Sequence, residues 1–205
     1  MHFPQFHFNV NMLASLSYLR TLASANANAH SRWGSSQTST RVPALLVAIL
    51  EVTGPEVLRL KKGPDAGKEI YLLKMILGNR EGICKLTAWR DVASKWGEGD
   101  ERVKRGDVVL FESEYTYKGG LWADGSTELS LGNSTDNADT AALTLAASPF
   151  LNSSLQLCYR CFPYGDEDKR YRPDLRLAAM GVADPCVRAV KGVTEWFERM
   201  AGLKT

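Results

Sequence analysis

The apolar positions of this chain switch spacing along its length, and the switches mark its elements. Residues 43–52 form a near-continuous apolar run that stops at Thr53-Gly54-Pro55. A run of that length followed by turn residues predicts a buried first strand and a turn. Residues 57–60 extend that strand or pair with it, and the stretch from Gly63-Pro64 to Gly67 is a loop. Residues 69–77 then alternate, with Ile70, Leu72, Met75 and Leu77 apolar and Lys74 between them, which predicts a second strand. Residues 78–82 supply small, polar turn residues, and residues 83–89 form a third strand ending at Trp89. Asp91 is placed to cap a short helix that runs to Trp96 and stops at Gly97 and Gly99. Residues 107–117 read as a fourth strand, Lys118-Gly119-Gly120 as a hairpin tip and residues 121–131 as a fifth strand.

Beyond residue 133 the pattern is weaker. Residues 136–147 have helix-forming composition with Pro149 as a stop, and residues 155–162 look like one added strand. Residues 166–172 are a charged loop. Asp184-Pro185 starts a final helix well, because Asp caps and Pro fits the first turn. Val187, Val190, Thr194, Phe197 and Met200 fall on one side of that helix, and Gly202 ends it. At the other end, residues 1–40 are rich in Ser, Ala, Asn and Gln, with scattered Phe3, Phe6 and Phe8. Residues 12–22 suit one short amphipathic helix, and the stretch as a whole reads as a disordered or targeting tail. The expected organisation is therefore a tail over 1–40, a β domain over 41–135, and a C-terminal extension over 136–205 with an added strand and a terminal helix.

Composition narrows the function classes. The chain has 205 residues, an ordinary apolar fraction of 44% and a net charge of +2. That charge is unevenly spread: the first fifty residues hold Arg20, Arg32 and Arg41 and no acid, whereas residues 51–135 net −1 and residues 136–205 net zero. A near-neutral β domain argues against purely electrostatic binding of duplex DNA, which needs a concentrated cationic patch. No apolar run is long enough to span a bilayer. Cys84, Cys158, Cys161 and Cys186 are irregularly spaced and do not form a disulfide framework, so a reducing compartment is expected. Cys158-Tyr159-Arg160-Cys161 is a lone CxxC; zinc takes four ligands, and His2, His7 and His30 all lie near the N-terminus. The expectation is structural thiols, no metal and no other cofactor. The core carries no His, no nucleophile–base pairing and no phosphate-cradling Gly-rich loop, so a non-enzyme is expected.

The segment LGNREGICKLTAWRDVA (residues 77–93) and the segment GDVVLFESEYTYKGG (residues 106–120) together resemble the OB-fold domains of replication protein A and its relatives. The first matches the family's turn, strand, tryptophan and following helix; the second matches its Gly-Asp strand start and aromatic-Gly-Gly hairpin. Within the superfamily the spacing over residues 62–68, Trp89-Arg90 and Ala93 is most similar to the first OB domain of the second subunit of shieldin, a DNA end-protection factor. The resemblance covers residues 43–135, and it departs at Ala88, where the family usually has Leu, and in its neutral charge.

The resemblance implies an all-β, five-stranded Greek-key OB barrel with a helix between strands 3 and 4. It further implies single-stranded DNA binding (RNA being an alternative) in repair, replication or DNA end and telomere protection, in the nucleus. By the same resemblance Trp89 and Tyr117 are base-stacking aromatics, with Trp122 and Tyr115 in reserve. An aromatic on a rigid strand gives about 1–3 kcal/mol per stacked base. Lys85, Arg90 and Lys118 flank them, and Arg59, Lys61, Lys62 and Lys68 sit in the loop lining the groove, where they would meet phosphates. By analogy the last helix is expected to bind a protein partner through an exposed Trp196 and Phe197. Two alternatives stay open: an interaction scaffold whose barrel binds no nucleic acid, and a mitochondrial single-strand binder if residues 1–40 are a presequence.

Overall fold

Alternation becomes sheet. The computed structural model describes residues 3–21, 44–61, 66–99, 101–113, 143–176 and 184–203. Six strands, β1 (Ala44–Arg59), β2 (Glu69–Asn79), β3 (Gly82–Trp89), β4 (Asp107–Ser113), β5 (Thr144–Ala147) and β6 (Ser153–Arg160), form one curled sheet in the order β5-β3-β2-β1-β4-β6. All neighbours are antiparallel except β3 and β5. These pairings make β5 and β6 run in the same direction, separated only by a single 3-10 turn at Pro149–Leu151. Residues 144–160 thus act as one interrupted strand, the first half on β3 and the second on β4, that links the two edges of the sheet.

Three helical pieces complete the chain: α1, described over residues 16–21; α2 (Asp91–Gly97), between β3 and β4; and α3 (Pro185–Met200). The sheet's concave side holds the main core. Leu45, Val47 and Ile49 of β1, Leu73, Met75 and Leu77 of β2, Cys84, Leu86 and Ala88 of β3, and Val109 and Phe111 of β4 point into it. The α2 side chains Val92, Ala93 and Trp96 close that core, with the Trp96 and Phe111 ring centroids 5.4 Å apart. The alternate residues Ala44, Leu46 and Ala48 of β1, Val108 and Leu110 of β4 and Cys158 of β6 face outward. There α3 covers them with Val187, Val190 and Phe197 to form a second core.

Two glycines set this packing. Gly106 has φ +86°, and a Cβ there would lie 2.5 Å from the Phe162 ring, so only glycine fits before Asp107. A Cβ on Gly78 would lie 2.9 Å from the Trp196 ring, so the bare backbone of β2 lets α3 approach.

The structure departs from the sequence reading at several points. Residues 144–147, expected to end a helix, form β5; Thr144 and Ala146 are partly exposed while Leu145 and Ala147 are buried, a period of two. The fifth strand expected at 121–131 lies outside the described residues. The added strand expected at 155–162 is β6, part of the sheet itself. Arg90, not Asp91, occupies the cap position of α2. Residues 3–21 are not a free tail: Phe6 and Phe8 enter the α3 core, and Leu16 and Leu19 enter the main core. Ser15 Oγ donates to Glu81 Oε2 at 2.7 Å, and Arg20 donates to the Ile83 carbonyl at 2.7 Å, fastening this segment to the β2–β3 turn. Composition alone hid this, because the segment's few apolar residues find their partners only across the fold.

A buried ion cluster holds β4 to β6. Arg160 donates from Nε and Nη2 to the two carboxylate oxygens of Asp107 at 2.7 and 2.8 Å, and from Nη2 to the Arg102 carbonyl at 3.0 Å. Its Nη1 donates to Asp168, which also accepts from Lys104 Nζ and the Tyr164 amide. Burial raises the Asp168 carboxyl, but the hydrogen bonds from Lys104, Arg160 and the Tyr164 N–H outweigh it and hold the pKa at about 2. A depressed carboxylate stabilises the fold above its unfolded pKa, about 4, and that stability is lost as pH falls through the folded value. Urea titrations at steps from pH 5 to pH 2 should therefore show a falling unfolding free energy. Asp168→Asn should be less stable than wild type at pH 5 and lose less on acidification; an unchanged acid slope would refute this role.

Candidate nucleic-acid interface

The outer side of the sheet is unevenly covered. Among the described residues, α3 and the N-terminal segment lie over β1, β4 and β6 and reach β2 only near Gly78, and the outward residues Lys74 of β2 and Lys85 of β3 are exposed while Ile70 and Leu72 are buried. This outer side is built in cross-strand rows. Glu51, Ile76, Lys85 and Thr144 align in one; Thr53, Lys74, Thr87 and Ala146 in the next; Glu56, Leu72 and Trp89 in the third. Trp89 is half-buried, and the aliphatic side chain of Leu72 beside it is buried. Lys85 is exposed two rows from Trp89, about 13 Å along the strand. Lys74 Nζ stands 3.7 Å from Glu56 in an exposed pair, worth about 0–1 kcal/mol in water.

The β1–β2 hairpin continues past this face. Val57 pairs with Tyr71, Leu58 with Ile70 and Arg59 with Glu69, and the tip is closed by backbone bonds between Leu60 and Lys68 (2.9 Å) and between Gly67 and Leu60 (2.8 Å). Arg59, Lys61 and Lys68 are exposed there, and Arg59 Nε donates to the Gly67 carbonyl at 3.3 Å. Only three residue steps along β2 take the chain from Glu69 at the tip to Leu72 beside Trp89, about 10 Å. The structure therefore brings Trp89, Arg90, Arg59, Lys61 and Lys68 to one end of the sheet. Lys85 lies farther along the same face. Lys62, Tyr117, Lys118 and Trp122, with Tyr115, lie outside the described residues.

Arg90 carries the main backbone anomaly of this end. It has φ 59° and ψ −135°, a combination that non-glycine residues rarely adopt and that costs about 1–3 kcal/mol. Its amide donates to the Tyr71 carbonyl at 2.8 Å, and its carbonyl accepts from the Ala93 amide at 3.0 Å, so β2 and α2 together hold it there. The Arg90 guanidinium lies 5.4 Å from the centroid of Phe150, a ring that sequence reasoning passed over. Its signal was an aromatic between Pro149 and Asn152 in a turn joining two apolar stretches.

The expected partner-binding pair on the last helix is only half present at the surface. Phe197 is completely buried, its ring 5.7 Å from Phe162 in an edge-on contact, so it is not available to a partner. Trp196 is half-buried on Gly78. The reason is the helical spacing itself: Phe197 follows Val190 and Thr194 on the side that meets the sheet.

The thiols are enclosed. Burial pushes Cys84 and Cys158 each up to about 12, so neither is a thiolate near neutral pH. Cys158, Cys161 and Cys186 all belong to the α3 core, and Cys186 Sγ donates to the Phe8 carbonyl at 2.9 Å. Among the described residues no three His, Cys, Asp or Glu side chains are grouped to hold a metal ion, and no helix is long and apolar enough to cross a membrane.

No protein-family model and no curated protein matches this chain, so the candidate interface stands on its own geometry.

Proposed function

We propose that this protein is a single-stranded-DNA-binding module of the OB type, a binding protein rather than an enzyme, serving DNA repair, replication or end protection in the nucleus. The observation that carries the reading is the sheet's connectivity. β1 is flanked by β2 and β4, β3 meets a parallel β5, a helix sits between β3 and β4, and one interrupted strand joins β3 to β4. In an OB barrel the outer face of strands 2 and 3 and the loop between strands 1 and 2 hold oligonucleotides. Here that face carries Trp89, and that loop carries Arg59, Lys61 and Lys68. Trp89 stacks a base, while these cations and Lys85 and Arg90 meet phosphates. Tyr117, Lys118, Trp122 and Lys62 belong to the same proposal through the family resemblance.

The test is fluorescence anisotropy of a labelled thirty-nucleotide single strand with the full chain across a salt series. Wild type should bind with an affinity that falls as salt rises. Trp89→Ala should weaken binding about fivefold to a hundredfold, the loss of one stacked base. A folded wild type that binds no single strand would overturn the proposal.

A second reading, a protein-interaction scaffold, is favoured by Val57, Leu58 and Tyr71, large apolar side chains exposed along the β1–β2 hairpin. Under that reading the hairpin, and not the buried Phe197, carries the partner surface.

A further inference from the structure

We infer that Phe150, with the Arg90 guanidinium against its ring, is a second nucleobase-stacking subsite beside Trp89. The inference rests on the single-strand-binding reading above and adds to it a residue outside the 43–135 stretch that the family resemblance covers.

Phe150 is 75% exposed, the largest exposure among the described large apolar side chains. It stands on a turn with little freedom. The Leu151 amide donates to the Ser148 carbonyl at 3.1 Å and the Asn152 amide to the Pro149 carbonyl at 3.1 Å. The Ser148 amide donates to Ser153 Oγ at 3.3 Å, and Asn152 takes a left-handed φ of 46° to re-enter β6. Pro149 fixes its own φ in the first position of the turn. These bonds fix the backbone of the turn, and a ring so exposed gains little from burial, which suits its presentation to a ligand.

The placement matches Trp89. Ala147 pairs with Ala88 across the parallel β3–β5 ladder, so the turn that follows Ala147 and the Trp89-Arg90 step that follows Ala88 leave the sheet side by side. Arg90 is held at its strained backbone angles by bonds to Tyr71 and Ala93, and its side chain reaches the Phe150 ring, 5.4 Å from guanidinium carbon to centroid. A guanidinium over one side of an aromatic ring is a cation–π contact. It leaves the ring's other side for a base and brings positive charge to the neighbouring phosphate. Single-strand sites combine these two elements, an aromatic platform and a basic track.

The test measures the full chain by anisotropy against the same thirty-nucleotide strand over a salt series, comparing wild type, Phe150→Ala, Phe150→Trp and Trp89→Ala. Phe150→Ala should weaken binding about fivefold to a hundredfold, because one stacked base is lost. It should leave the slope of log affinity against log salt unchanged, because a neutral ring releases no counterion. Phe150→Trp should retain binding, and circular dichroism should show all variants folded. If wild type and Trp89→Ala behave as proposed but Phe150→Ala binds within twofold of wild type, the second subsite is wrong and the binding face stands. If Phe150→Ala changes the salt slope, its effect is not stacking and the inference fails. If wild type does not bind at all, the single-strand reading falls and this subsite falls with it.

Discussion

Arg160→Ala should lower the unfolding free energy by about 3–5 kcal/mol, the usual effect of removing one partner from a buried ion pair. The Arg160 and Asp107 side chains are wholly screened from solvent, and Asp168 is nearly so. The guanidinium satisfies both Asp107 oxygens, one Asp168 oxygen and the Arg102 carbonyl, and its face lies 5.0 Å from the centroid of Tyr171. Alanine would leave two buried carboxylates, with Lys104 the one remaining cation beside Asp168 among the described residues. The arginine also ties the start of β4 to the end of β6, so its loss loosens the pairing of these two strands. Urea unfolding followed by tryptophan fluorescence measures the effect. Combining Arg160→Met with Asp107→Leu should recover part of it, since an apolar pair of similar volume needs no counter-charge. A loss below about 1 kcal/mol for Arg160→Ala would mean that water reaches the cluster and screens it.

Leu16→Ala should cost about 2–5 kcal/mol, the range for emptying a leucine site in a packed core. Leu16 has no exposed surface and packs with Leu19 among the main-core side chains. Tyr18, on the same helical segment, is 59% exposed and supplies the control. Tyr18→Ala should stay within about 0.5 kcal/mol of wild type. Equal, small effects for both would show that the segment is not part of the cooperative fold. A large difference would show that any truncation near residue 41, chosen from composition, removes core and not tail. Binding measurements accordingly need the full chain.

The candidate site divides by how far apart its parts lie in sequence. Trp89 was proposed from the family resemblance, and its place in the sheet follows from β2 and β3, adjacent strands joined by a two-residue turn at residues 80–81. The cations Arg59, Lys61 and Lys68, proposed in the same way, lie within the single β1–β2 hairpin. Phe150 was not legible in the sequence, because the Arg90 that meets its ring is sixty residues away and comes beside it only through the parallel β3–β5 pairing. Nor was the fate of Phe197. Its side of α3 followed from the helical period, but whether that side faced solvent or sheet depended on where α3 docks.

The sequence by itself determined β1 to β4, the short helix after Trp89 and the final helix with its Asp184-Pro185 start. Alternation, turn residues and caps act within a few positions of one another, and local physics is enough to set them. Tertiary structure alone decided the rest. It turned residues 144–147 into a strand, since an open edge of β3 offered them backbone partners. It buried Phe6, Phe8, Leu16 and Leu19, since the ends of the fold left apolar surface for them to cover. And it gave the Gly106-Asp107 step its partner in Arg160, fifty-three residues away, because a buried carboxylate requires a counter-charge wherever along the chain one is found.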